Sequence, residues 1–427
     1  MLRAFQRAAR RPAPRPRIRP CLEILEARQL LSVTITPLKD PSGAAELLVR
    51  TDGVNDSVTI TDNSLKGTTT VKADIQVSLG KGENHFTFNP DQTPITNHSD
   101  VNLNVVGHNG NDFVNLSFGE ILESRVNVQA TGLGGSTTPQ SANAVRDTIT
   151  FGVEKTGVRN SSVNVNIGLG HGQNNLLFKY GIDLGHLAPP AGTPGSAGDF
   201  GPSIMSVNIT GSDRRRDTAN VKLFANGEVN TGSTLNFGTK FLAGNNSFNA
   251  VFDANTFQID DDGGEFISGA HLGGAAHFNI QVGSGNDSIS FKSINQSHTI
   301  ELSGLLDINI LGGSGKDTIR TDFGGAGFTD DDPFELRATN RDFRLHVAGG
   351  PGDETTKVNL ANASTATFAY DVAIQGGSRM NDITFVGTNP SGGTPTFGPA
   401  GAVAINGGGG NVDVFGNFPV VVTNAQP

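Results

Sequence analysis

The feature that most constrains this chain is a Gly-x-Asn/Asp turn that returns about a dozen times along its 427 residues. The turns centre on Asp56, Asn84, Asp112, Asp147, Asn174, Asp217, Asn246, Asp287, Asp317, Glu354, Asp382 and Asp413. The shortest spacings are 27 and 28 residues, as from Asn84 to Asp112, and the longest is 43, from Asn174 to Asp217. A fixed short period with variable excess is the mark of one structural unit carrying loop insertions. Three insertions stand out by composition: 134–144, 186–203 and 389–401, all rich in Gly, Pro, Ser and Thr.

Each unit has the same grammar. An alternating strand comes first, such as VNLNV (101–105), VNVNI (163–167) or FNIQV (278–282). The Gly turn follows, and then a second alternating strand, such as HFTF (85–88) or SISF (288–291). Alternation with period two places one set of side chains on a buried face and the other in water. The chain has 26 Phe, no Trp and 2 Tyr, and its 36% apolar residues fall in short runs without a helical period. Asn is a poor strand residue, yet Asn102, Asn104, Asn164, Asn166, Asn208, Asn279 and Asn309 all fall inside these strands. A stack of parallel coils accommodates them, because like residues align at ~4.8 Å and hydrogen-bond along the stack. The expected fold is therefore all-β, a parallel β-solenoid or β-helix of about a dozen ~30-residue units over 33–427. The alternative is an antiparallel sandwich or propeller in which each turn closes a hairpin.

The charge is uneven. Residues 1–32 hold eight Arg against Glu23 and Glu26, a net of +6, so the formal −10 of the whole leaves −16 for the remainder. An acidic body lacks the clustered Lys and Arg that nucleic acid requires. No run approaches the ~18 apolar residues of a membrane span. Cys21 is the one cysteine, so no disulfide forms within the chain. The basic, Pro-broken segment 1–32 reads as disordered or a short helix, and its longest apolar runs are interrupted by Glu23, Glu26, Arg28 and Gln29.

Two resemblances bear on function. CLEILEARQLLS (21–32) resembles the N-terminal Leu-Glu-x-Leu-Glu-Pro-Arg-x-Leu-Leu-Ser segment of large planctomycete proteins, through Leu22, Glu23, Leu25, Glu26, Arg28, Leu30, Leu31 and Ser32. Ala27 stands where that family has Pro. The resemblance covers a dozen residues and implies an address, export or sorting to the cell surface. GSGNDSISF (283–291) and GGSGKDTIR (312–320) resemble the repeats-in-toxin nonapeptide, whose Gly carbonyls and Asp carboxylate bind calcium. The resemblance implies calcium ligands at Gly283, Gly285 and Asp287, and at Gly312, Gly313, Gly315 and Asp317, with Asp112 a looser match through HNGND (108–112). Calcium is the one cofactor implied. The family's units are nine residues apart; these are about thirty apart, and Asn84, Asn174 and Asn246 replace Asp. Chain geometry alone accounts for both residue types, since Gly supplies positive φ and Asn or Asp bonds the local backbone.

No enzyme signature emerges. GGSGKDT (312–318) is not a P-loop: Ile310 occupies the first Gly position and Asp317 follows Lys316. The nine His are scattered, with no metal-binding or nucleophile-elbow motif. The acidic clusters Asp260–Asp262 with Glu265 and Asp330–Asp332 with Glu335 lack EF-hand spacing. Asp213–Asp217 encloses the one basic cluster of the body, Arg214–Arg216. The reading is an exported cell-surface or extracellular structural or adhesion protein without catalytic activity, contacting envelope or matrix components and glycans and able to self-associate through an open end. The alternatives are a calcium-ordered surface module and a β-helix polysaccharide lyase or glycosidase.

Overall fold

The computed structural model is a parallel β-solenoid. The described residues are the strands and adjoining turns between Val33 and Gln426; residues 1–32 and the loops 61–71, 134–146, 181–201, 260–265, 324–335, 361–368 and 388–395 are the longest stretches outside them. The N-terminal segment and the two acidic clusters therefore fall outside the described residues.

Two long sheets form the walls. Among the described residues sheet 1 holds fifteen strands and sheet 2 twelve, and past residue 51 the chain crosses from one to the other within each coil. Asp100–Val106 of sheet 1, for example, leads through the Gly turn into Gly110–Phe118 of sheet 2. The next coil repeats this in register, with Asn102 opposite Asn127 and Val114 opposite Ile149. Every pairing along the two walls is parallel except the first, where Val33–Lys39 runs antiparallel to Ala45–Thr51. The hairpin reading of the repeat is thereby set aside: the Gly turn joins two different sheets instead of two neighbours in one. A short third wall appears where the return loops are long enough, as at Ile121–Leu122 with Val158–Arg159 and at Ile300–Leu302 between His271–Leu272 and Leu336–Ala338.

The alternation does what period two requires. Val101, Leu103 and Val105 point inward and are fully or almost fully buried, as are Val163, Val165, Phe278 and Ile280. Between the walls the Phe side chains form a spine. Phe88, Phe118, Phe151 and Phe178 follow one another at centroid distances of 5.5, 5.3 and 5.1 Å. Aromatic contacts continue from Phe323 through Phe343 and Tyr370 to Phe418. Aromatic pairs at these separations add to burial and tie each coil to the next.

The strand asparagines stand on the outer face of sheet 1 and do form ladders. Asn127 donates to Asn102 at 2.8 Å, Asn164 to Asn127 at 3.1 Å, and Asn208 to Asn166 at 3.2 Å. Amide groups with one donor and one acceptor end stack indefinitely, which is why a poor strand residue recurs here.

Candidate functional site

The residues singled out at the Gly turn come together, but inside the molecule. Asn84, Asp112, Asp147, Asn174, Asp217, Asn246, Asp287, Asp317, Glu354 and Asn381 are all buried to within 3%. Strand register stacks them coil upon coil, Asn84 on Asp112 and Asp317 on Glu354. Two expected centres shift. Asn381, not Asp382, continues the ladder, because Thr355 pairs with Asp382 and so puts Glu354 opposite Asn381. In the last coil Asn411 pairs with Asp382, so Gly410, not Asp413, takes the position. Asp56 lies outside the described residues.

The ladder has a simple local grammar. One side-chain oxygen accepts the backbone N–H of the preceding rung. Asp147 Oδ1 takes the N–H of Asp112 at 2.8 Å, Asn246 Oδ1 that of Asp217 at 3.0 Å, Asp287 Oδ1 that of Asn246 at 2.6 Å, and Asp317 Oδ1 that of Asp287 at 2.9 Å. These are N–H groups that leave the sheet at the corner and would otherwise be buried without a partner. Where the rung is Asn, its amide also donates to a carbonyl of its own turn: Asn84 to Gly80, Asn174 to Gly170 and Asn381 to Gly377, four residues earlier, at 2.9, 3.0 and 2.9 Å, and Asn246 to Gly244, two residues earlier, at 3.3 Å. Asn84 and Asn174 in addition donate to Asp112 and Asp217 on the next coil.

The glycines are needed for close approach. A Cβ on Gly313 would fall 1.3 Å from the carbonyl oxygen of Gly283, and one on Gly315 would fall 1.6 Å from that of Gly285. Gly285 and Gly315 also hold φ of 144° and 143°, which favours Gly. Successive turns thus lie directly on one another, tied by Ser314 N–H to Gly283 O at 3.0 Å and Asp353 N–H to Gly315 O at 2.9 Å.

The second oxygen of five of the acids is a different matter. Asp112 Oδ2, Asp147 Oδ2, Asp287 Oδ2, Asp317 Oδ2 and Glu354 Oε2 are buried without a hydrogen-bond partner. Burial pushes Asp147 up to about 7 and Asp287 up to about 6, with the neighbouring acid adding to each. Asp112, Asp317 and Glu354 are raised as well, again chiefly by desolvation. Desolvation disfavours the charged form, and like charges on adjacent rungs add to that.

Calcium requires six to eight oxygens at ~2.3–2.6 Å. Gly283 O and Gly315 O already accept backbone N–H groups, and one oxygen of Asp112, Asp287 and Asp317 is likewise taken. Those five acids each offer one remaining oxygen, and among the described residues no group of three or more His, Cys, Asp or Glu gathers to hold a metal. The donor set suits a proton better than a calcium ion. A neutral Asp carries an O–H that can turn to a carbonyl of its own turn, as the Asn amides do. This equivalence accounts for Asn and Asp alternating at one structural position.

A second buried ladder was not legible in the sequence. Ser99, Ser124, Ser161, Ser203 and Ser233 precede successive sheet 1 strands and are buried to within 7%. Each hydroxyl accepts the N–H of the previous serine, at 3.1, 2.9, 3.2 and 3.0 Å. The available signal was a Ser two residues before the first inward apolar residue, as in Ser99-x-Val101 and Ser124-x-Val126.

Outside, Asp353 and Asp382 join Lys316 around a depression of about 310 Å³ that the ladder residues Asp317, Glu354 and Asn381 also line. Arg216, from the basic cluster, lines another of about 620 Å³ with Gln173, Asn245 and Asn286. No protein-family model, curated protein or solved structure matches the chain.

Proposed function

We propose that this is a structural β-solenoid of the cell surface or extracellular matrix, a scaffold or adhesion surface without catalytic activity. The observation that carries the reading is where the chemistry-bearing side chains go. The acids with raised proton affinity all lie in the buried ladder, each with one oxygen committed to a backbone N–H. A general acid or base must reach its substrate, and these side chains are at most 2% exposed, Asp317 and Glu354 bordering the Lys316 depression only at that level. They hold coils together. Export is supported by the resemblance of residues 21–32 to the planctomycete surface-protein segment. The carboxamide ladder of Asn102, Asn127 and Asn164 on sheet 1 suits contact with hydroxyl-rich envelope or matrix glycans. The test is immunolabelling of native cells with and without permeabilisation, using antibody to 33–427. Labelling of intact cells is expected; signal only after permeabilisation overturns the surface assignment.

The calcium-module reading is tested separately, by thermal unfolding in calcium, magnesium and chelator. Superimposable curves are expected. A calcium-specific rise in midpoint, abolished by Asp287→Asn with Asp317→Asn, would replace the scaffold reading with an ion-ordered one. Binding at 100 times Kd would add ~2.7 kcal/mol per site.

A further inference from the structure

The outer rim of the Gly corner carries an exposed file of its own, one residue before the buried ladder. Arg216, Asn245, Asn286 and Lys316 precede Asp217, Asn246, Asp287 and Asp317, and all four are exposed. The stack fixes the two asparagines. Asn245 Oδ1 accepts the N–H of Asn286 at 2.8 Å, and Asn286 Oδ1 accepts that of Lys316 at 2.9 Å. With the oxygen of each carboxamide held against the backbone, its Nδ2 group is the one left to face solvent. A file of hydroxyls runs alongside on sheet 2, with Thr218 opposite Ser247, Ser247 opposite Ser288 and Ser288 opposite Thr318.

These groups border the depression of about 620 Å³, and among the described residues that line it Arg216 is the one charged side chain. The acids nearest to it in the chain, Asp217 and Asp287, lie behind the rim at 0% and 2% exposure. Each has its Oδ1 committed within the ladder, to Asn174 Nδ2 and to the Asn246 N–H. The rim turns acidic only beyond Lys316, at Asp353 and Asp382. Arg216 and Lys316 are three coil spacings apart, ~14 Å. No single small anion bridges that distance. A polymer with charges at intervals does, and the amides and hydroxyls between the two cations suit its hydroxyl groups. A single-stranded nucleic acid needs aromatic platforms for its bases, and the outward positions beside the rim, such as Ser247, Asn249, Ser288 and Ser290, carry none.

We propose that this rim binds a linear acidic polysaccharide, with a uronate carboxylate on Arg216, the hydroxyls of the adjoining sugars on Asn245, Asn286 and the Ser247–Ser288 file, and a further carboxylate on Lys316. The planar guanidinium matches a carboxylate with two parallel hydrogen bonds. The site lies on the other side of the coil from the carboxamide ladder of sheet 1. The inference deepens the adhesion reading and rests on it for the presence of such a polymer around the chain. Binding between purified components succeeds or fails independently of where the chain resides, so the two readings fail separately.

Calorimetric titration of the full chain with polygalacturonate tests this, with chelator present so that no divalent cation bridges acid to acid. Binding is expected, weakening as salt is added. Arg216→Gln should weaken it at least tenfold. Asn286→Asp is the sharper probe: it keeps an oxygen for the Lys316 N–H and puts a second oxygen where the amino group was, so it should weaken binding as much. Lys316→Gln, a severalfold loss, serves should Asn286→Asp disturb folding. Lys240→Gln, exposed on sheet 1, should leave the affinity unchanged. Circular dichroism of each variant should match the wild type. No binding, or binding indifferent to both Arg216→Gln and Lys316→Gln, overturns the proposal. Equal affinity for single-stranded DNA overturns the choice of a polysaccharide, and equal affinity for neutral dextran overturns the role of the carboxylate.

Discussion

The ladder at the Gly corner has two regions with different chemistry. From Asn84 to Asn246 amides and acids are interspersed, and Asn84 and Asn174 hand their donors to Asp112 and Asp217 on the next coil. From Asp287 to Glu354 three acids follow without an amide; each keeps an oxygen with no partner, as Asp112 and Asp147 do in the first region. The same corner can therefore be built with amides that hand a donor to the next acid or from successive acids without one. The second region compensates with tight stacking. Its turns carry the Gly283–Gly313–Gly350 file, in which each added Cβ on Gly313 or Gly350 would lie within 1.6 Å of the preceding glycine's carbonyl oxygen. Backbone contact replaces side-chain donors as the tie between coils.

The sharpest break of this comparison is Gly313→Ala. The methyl group has no room, since its obstacle is backbone on a neighbouring coil, and the expected loss is about 3 kcal/mol. Gly168→Ala, in a sheet 1 strand where the nearest obstacle is 3.6 Å away, should stay within about 0.5 kcal/mol. Urea unfolding of both variants checks the pair. Equal effects would mean that the glycine file is not a coil-to-coil contact.

Proton retention comes next in size. The folded chain holds Asp287 near 6, while an unfolded Asp titrates near ~3.9. The folded state thus binds this proton more tightly, and stability falls wherever that is so. The contribution is fully present below ~4 and is lost as pH rises through about 6, with Asp147 extending the decline to about 7. Asp287→Asn keeps the acceptor for the Asn246 N–H and supplies an amide in place of the acid. It should raise stability at pH 8 by about 2 kcal/mol and flatten the slope between pH 4 and 6. Unfolding midpoints from pH 4 to 8 decide this; a variant less stable at pH 8, with the slope unchanged, would mean that Asp287 folds ionised.

Removing an acid from the mixed region should behave differently. Asp217→Ala takes away the acceptor of Asn174 Nδ2, leaving a buried donor with one partner fewer, and should lower stability by about 1–2 kcal/mol at both pH 4 and pH 8. A gain at pH 8 would erase the distinction between the two regions.

Much of the fold was legible because its causes are local and repeated. The alternation in VNLNV and VNVNI predicted the inward Val files, and the awkward asparagines predicted the parallel stack that the Asn102–Asn127–Asn164 ladder confirms. The Gly turn was legible as a repeat but its orientation was not. Asp287 and Asp317 read as calcium ligands or as turn residues, because a GSGND string does not say which way the carboxylate turns; in the structure both are buried in the stack. Asp382 and Asn381 are both acceptable turn residues, and only register, Thr355 opposite Asp382, separates them.

The serine corner was hidden for another reason. Its residues are 25, 37, 42 and 30 apart, because the loops between coils vary in length while the coil itself does not. Period detection fails when insertions exceed the signal, and a lone Ser is too common to be noticed. Past Ser233 the register places Gly274 and then Gly304 at this corner, through Thr234 opposite Ala275 opposite Leu305. The two corners thus change character near the same coil, serine giving way to glycine as mixed rungs give way to acids. Ser161 is the central serine: its Oγ accepts from Ser124 and donates toward the carbonyls of Arg159 and Ile121 at 2.6 and 3.1 Å. Ser161→Ala strands one buried N–H and should lower stability by about 1 kcal/mol, independent of pH. Ser161→Gly mimics the natural change at Gly274, and water can enter where the side chain was, so it should lower stability by no more than the alanine variant beyond the backbone entropy of ~0.5–1 kcal/mol. If both variants match wild type, the serine file is a consequence of the corner's shape and the carboxyl ladder alone aligns the coils.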